Sequence, residues 1–273
     1  MKIGTLISFN KDTDVKAKLQ QIKDNDMNCC QLCCWDMSLY TDENAAIINE
    51  AVAETGVEIA ALWAGWSGPK EWNFIQGPFT LGIVPQTYRF QRTQELMMGS
   101  DFAEKIHVNM VATHVGFIPE NPSDPDFMGT VVALRYLTNY MKAKNQYFLF
   151  ETGQETPVTM LRCIEAIGNE NVGINLDTAN LILYGKANPV DAMDVFGKYV
   201  MNTHCKDGLF PTNGTELGHE VPLGEGKANF PEVYRKLMAL NYDGPFIIER
   251  EISGDKQLED IRNARDFIRS CAE

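Results

Sequence analysis

Apolar residues fall into two alternating patterns along this chain. Short, nearly continuous apolar runs recur eight times, as IGTLIS, CCQLCCW, EIAALWAGW, MVATHVGF, YFLFET, VGINLDT, VMNTHCK and PFIIERE. Runs of that length, rich in β-branched and aromatic side chains, predict strands buried on both faces. Between them the apolar spacing widens to the helical period. Val15, Leu19 and Ile22 share one stripe over residues 14–23, and Ile47, Ile48, Ala51 and Val52 another over 43–54. The same period predicts helices over 88–107, 126–144, 158–167, 190–196, 231–240 and 257–268. Strand and helix alternate throughout, which predicts an α/β fold, a (β/α)8 barrel forming one domain over residues 1–273. Residues 66–87 break the regularity with Gly, Pro and aromatics after the third strand, and read either as a lid or pocket wall or as a packed loop.

The ends of four runs carry the chemistry. FLFETGQE ends its run with Glu151, GINLDTAN with Asp177, MNTHCKD with His204 and FIIERE with Glu249. Side chains alternate along a strand, so Leu149 shares a face with Glu151, Asn175 with Asp177, Asn202 with His204 and Ile247 with Glu249. Ligands of parallel α/β folds bind beyond the carboxyl ends of the strands, where these groups fall. Three carboxylates held together repel, and a divalent cation removes that cost. A set of mostly oxygen donors with one nitrogen favours Mn2+, with Mg2+ and Co2+ next and Zn2+ less suited. Glu251 shares the face of Glu249, but Glu249 lies nearer the apolar run.

Composition narrows the partners. The formal charge of −13 argues against sustained contact with nucleic acid or an anionic membrane, and favours a small neutral or metal-chelated substrate. No apolar run approaches the roughly 18 residues that span a bilayer. The start MKIGTLISFN enters a strand without a secretory signal, so cytoplasm is the expected compartment. Seven cysteines, an odd number, fit reduced thiols. In a strand, Cys30 and Cys34 share the face opposite Cys29 and Cys33, so this cluster reads as buried structural thiols rather than a zinc or redox site.

With Glu151, Asp177, His204 and Glu249 in that order, and VPLGEGKANF at 221–230, the chain resembles the xylose isomerase-like barrels. That family includes sugar isomerases, ketose 3-epimerases, inosose dehydratases and apurinic endonucleases. The resemblance covers almost the whole chain. It implies that the four residues bind one metal and that Glu151 and Glu249 double as catalytic acid and base, as in the epimerases. The ETGQE run looks especially like proteins called sugar phosphate isomerase/epimerase, and adds Glu155 to the substrate-binding candidates. Where the family commonly has Asp-x-x-His after strand six, this chain has DTAN. Asn180 can hydrogen-bond a hydroxyl there but cannot shuttle a proton. AGWSG stands where the endonucleases need a histidine, and GHE where they need an Asp/His pair, which argues against a trinuclear zinc site.

The activity implied is metal-assisted proton transfer at a carbon next to a carbonyl, through an enediolate. The outcome would be epimerisation or aldose/ketose isomerisation of a sugar. The alternatives are an inosose-type dehydratase on the same site and a non-catalytic sugar-binding barrel. Further substrate-binding candidates are His114 in THVGF, Lys206 on the face of His204, and Glu220 in the loop after strand seven. Lys206 has the alternative of an ion pair with Asp207. Trp35 and Trp66, at the ends of strands two and three, could stack on a sugar. The expected partner is therefore a small-molecule sugar, and a homo-oligomer stays open.

Overall fold

A computed structural model describes residues 1–272. Its strands are β1 (Ile3–Phe9), β2 (Cys29–Cys34), β3 (Glu58–Ala64), β4 (Met110–Thr113), β5 (Tyr147–Glu151), β6 (Val172–Asp177), β7 (Val200–Cys205), β8 (Asp207–Leu209), β9 (His219–Val221) and β10 (Phe246–Ile248). All but β8 and β9 close into one parallel barrel, ordered β1-β10-β7-β6-β5-β4-β3-β2. The expected (β/α)8 barrel is what forms. β8 and β9 pair antiparallel as a hairpin after β7, an element without a hydrophobic period to announce it.

The helices are α1 (Val15–Asp24), α2 (Asp42–Thr55), α3 (Gly77–Thr80), α4 (Gln86–Lys105), α5 (Pro125–Lys142), α6 (Pro157–Ile167), α7 (Asn180–Leu183), α8 (Pro189–Phe196), α9 (Phe230–Ala239) and α10 (Asp255–Ser270). Side-chain caps fix several starts. Asp14 accepts from the Ala17 amide, Thr41 from Asn44 and Thr156 from Thr159, each satisfying an amide that the first turn leaves free. α4 stops at Lys105, short of the expected His107, which adopts φ 59 beyond the helix end.

Strand alternation sorts β2 as expected. Cys30, Leu32 and Cys34 join the core between barrel and helices, while Cys29 and Cys33 fall in the smaller clusters inside the barrel. All seven cysteines are free, and burial pushes the thiols of Cys29 and Cys163 up to about 12. The outer core carries most of the apolar burial, with Phe148, Phe150, Ile174 and Leu237 fully enclosed. Each such side chain contributes roughly 1.5–3 kcal/mol.

Two loops at the carboxyl end are built rather than free. Residues 66–85 are held by α4. The buried Arg92 guanidinium donates to the carbonyl oxygens of Ser67, Pro69, Thr80 and Gly82, at 2.6 to 3.2 Å, and Glu95 accepts from the Ser67 amide. The loop is therefore an ordered wall. The LGEG run is organised by Asp207, whose carboxylate accepts from the amides of Gly208, Gly224, Gly226 and Ala228. A Cβ on Gly226 would lie 2.1 Å from Asp207 Oδ1, so this turn requires glycine.

Candidate metal centre

Strand register brings the four sequence candidates together. Asp177 pairs with His204 across β6 and β7, Ile247 pairs with His204 across β10 and β7, and Glu151 ends β5 one strand away from β6. Glu249 follows β10 directly. Potential ligand atoms of Glu151, Asp177, His204 and Glu249 all lie within 4.8 Å of one another. Around His204 Nδ1, Glu249 Oε2 stands at 3.0 Å, Glu151 Oε1 at 3.2 Å and Asp177 Oδ2 at 3.5 Å.

Three of the four candidate ligands are aimed by a second contact. Asp177 Oδ1 accepts from the amides of Ala179 and Asn180, at 2.8 and 2.7 Å, which leaves Oδ2 turned inward. His204 Nε2 donates to Gln31 Oε1, so the Nδ1 lone pair faces the carboxylates. Glu151 Oε2 accepts from Trp63 Nε1, while Asn180 Nδ2 and His114 Nε2 each stand 3.4 Å from Oε1. Asp177 Oδ2 and His204 Nδ1 are buried and have no hydrogen-bond partner. Buried polar atoms normally have one, and a divalent cation bound by both atoms meets that need. The donor set fits a divalent cation.

The electrostatics agree. Burial alone would push the His204 imidazole down, but Glu151 and Glu249 raise it well above the usual histidine range, so positive charge is favoured at this point. Burial pushes Asp177 up to about 6. Burial would raise Glu249 as well, yet Lys206 and His204 hold it well below the carboxylate range. Glu151 is lowered by His114 and His204 against the same desolvation. Both glutamates are thus carboxylates at neutral pH and can accept a proton.

Glu151 and Glu249 line a cavity of about 1100 Å3 at the barrel mouth, together with Asn180, His114 and Trp35. The chain's four tryptophans form one cluster here, with Trp35 centred 4.8 Å from Trp63, 5.1 Å from Trp66 and 6.3 Å from Trp72. Trp66 is displaced from its expected role. β3 ends at Ala64, and Trp66 packs behind the others at 1% exposure while Trp63 and Trp72 line the cavity.

Three more candidates lie off the cavity wall. Glu155 is buried with neither carboxylate oxygen partnered, and burial pushes it up to about 8. Glu220 pairs with Arg250 at 3.0 Å and accepts from the Glu251 amide, tying the hairpin to the segment after β10. Lys206 does not pair with Asp207, which is taken up by the LGEG amides; its ammonium faces Asp177, Glu249 and Glu251.

Gln31 and Trp63 were not singled out by sequence reasoning. Gln31 left a signal, as the one polar residue in a strand that is otherwise Cys and Leu and buried throughout. Replacing Gln31 by Leu is expected to weaken metal binding about tenfold to a hundredfold, the usual cost of removing a partner that orients a ligand histidine. Metal titration of the variant checks this, and wild-type affinity would remove Gln31 from the account.

A family model described as xylose isomerase-like TIM barrel matches residues 19–271. The chain belongs to the xylose isomerase-like TIM barrel family. A crystal structure of a xylose isomerase domain protein from Planctomyces limnophilus is 30% identical to it, covers 98% of this chain and 96% of its own, and superposes with a TM-score of 0.91. Two more distant structures share the xylose isomerase-like fold. One is a D-tagatose 3-epimerase-like protein, 18% identical over 100% of this chain and 97% of its own, with a TM-score of 0.75. The other is a xylose isomerase-like TIM barrel protein from Mycobacterium smegmatis in complex with magnesium, 17% identical over 96% of this chain and 90% of its own, with a TM-score of 0.70. An uncharacterized protein of Methanocaldococcus jannaschii is 29% identical over 119 residues, 43% of this chain, and the match spans 37% of that relative's length. Among the described residues, no helix of this family member is long and apolar enough to cross a membrane.

Proposed function

We propose that the protein is a divalent-metal-dependent sugar isomerase or epimerase that moves a proton at a carbon next to a carbonyl. The observation that carries this reading is the convergence of three carboxylates on the unpartnered Nδ1 of His204, with both glutamates lining the cavity. Glu151, Asp177, His204 and Glu249 would hold one cation, Mn2+ by donor set, with Mg2+ supported by the complex of the Mycobacterium smegmatis relative. Such a cation would polarise a substrate carbonyl and acidify the adjacent C–H bond.

The chain's own residues supply the rest. Glu151 and Glu249 come from strands on different sides of the centre, so each reaches a substrate carbon from its own direction. Both are carboxylates, so either can take the C–H proton, and the other, once it has picked up a proton from a substrate hydroxyl or solvent, can return one to its own face. Asn180 and His114, beside Glu151, offer hydrogen bonds to substrate oxygens. The indoles of Trp35 and Trp72 give the apolar face of a sugar a surface to stack on and limit water access.

An NMR screen of aldoses, ketoses, inososes and their phosphates in D2O with Mg2+-loaded protein tests this reading. The expected result is chelator-sensitive deuterium incorporation next to a carbonyl, with a new epimer or isomer. Water loss without reprotonation would move the reading to a dehydratase. No exchange on any of these compounds would contradict it.

A further inference from the structure

Lys206 lies just past β7, two residues beyond His204, and its side chain is 2% exposed. Its Nζ stands 3.3 Å from Glu249 Oε2 and 3.7 Å from Asp177 Oδ2. These are the same two oxygens that face His204 Nδ1 at 3.0 and 3.5 Å. A third carboxylate, Glu251, reaches the ammonium at 3.2 Å from outside the cluster, with its own side chain 60% exposed.

We propose that Lys206 is a built-in counter-cation of the metal centre, competing with the divalent ion for Asp177 and Glu249 and so setting how tightly that ion is held. The inference rests on the metal reading above. Two cations that share the same oxygens repel each other, and that repulsion is strong where water is excluded. Glu251 makes the sharing workable. It would hold the ammonium on the solvent side while Asp177 Oδ2 and Glu249 Oε2 serve a bound cation. Lys206 is thus a positioning and tuning residue, which limits affinity and keeps the carboxylates in place for an ion that must also admit substrate oxygens.

The test is Mn2+ titration of chelator-stripped protein by calorimetry, with thermal melts alongside. Lys206→Met is expected to bind Mn2+ at least about tenfold more tightly than wild type, because a charge a few ångströms from the site is removed. Its metal-free form should melt lower, since the carboxylates lose their counter-charge. Lys206→Gln, whose amide still donates to the carboxylates, should tighten binding in the same direction and covers the case in which Lys206→Met does not fold. Glu251→Gln should weaken binding severalfold in wild type and much less in the Lys206 variants, because Glu251 acts through Lys206. Unchanged or weaker Mn2+ binding in both Lys206 variants overturns the inference while leaving the metal reading intact. Wild-type protein that binds no Mn2+ overturns both.

Discussion

Glu151→Gln and Glu249→Gln are each expected to lower turnover by at least about a hundredfold, the scale of a lost general acid or base. That corresponds to about 2.7 kcal/mol in the barrier. Gln keeps the shape of the side chain and an oxygen for the cation, but it cannot accept a proton. At Glu151 the replacement can keep the bond from Trp63 Nε1 by presenting its carbonyl oxygen, so the fold should survive. At Glu249 the cost differs, because Lys206 and His204 both face Oε2 and lose a charged partner. One variant should still exchange substrate hydrogen with D2O in a single stereochemical sense, since the remaining carboxylate serves its own face. Near-native turnover in both variants would reduce the two glutamates to metal ligands at most.

The cluster of Glu151, Asp177, His204 and Glu249 is legible because each one interrupts an apolar run with a group that a strand core would not hold. Parallel strands then place such residues at one rim. Gln31 is legible by the same logic, as a lone amide in a buried strand. Trp63 is not. It lies inside a run that reads as core, and only barrel closure brings its Nε1 to Glu151, a residue 88 positions away. Trp66 looked like the strand end because the apolar run continues through it, whereas pairing with β2 stops at Ala64. The Lys206–Asp207 neighbours suggested an ion pair by proximity in sequence. Successive side chains point to opposite faces, and each found separate partners: carboxylates of the centre for one, backbone amides for the other. The hairpin of β8 and β9 lies in a polar stretch with too few apolar residues for any period to register.

Asp177 separates the metal from the fold most cleanly. Asp177→Ala removes both the inward Oδ2 and the Oδ1 that caps the turn into α7, so it should abolish metal binding and also cost stability. Asp177→Asn keeps an oxygen for the Ala179 and Asn180 amides while removing the charge. It should fold like wild type and bind the metal far more weakly. In wild type, metal at a hundred times its dissociation constant stabilises the native state by about 2.7 kcal/mol. For a chain of this size that raises the melting temperature by about 5 °C or more.

The measurement that bears most directly on the metal centre is therefore Mn2+ binding and melting of chelator-stripped wild type beside Asp177→Asn. One ion per chain and a rise in melting temperature in wild type, both lost in the variant, is the predicted result. Wild-type protein that melts at the same temperature with and without metal, or a variant that binds as wild type does, would contradict a cation held by Glu151, Asp177, His204 and Glu249.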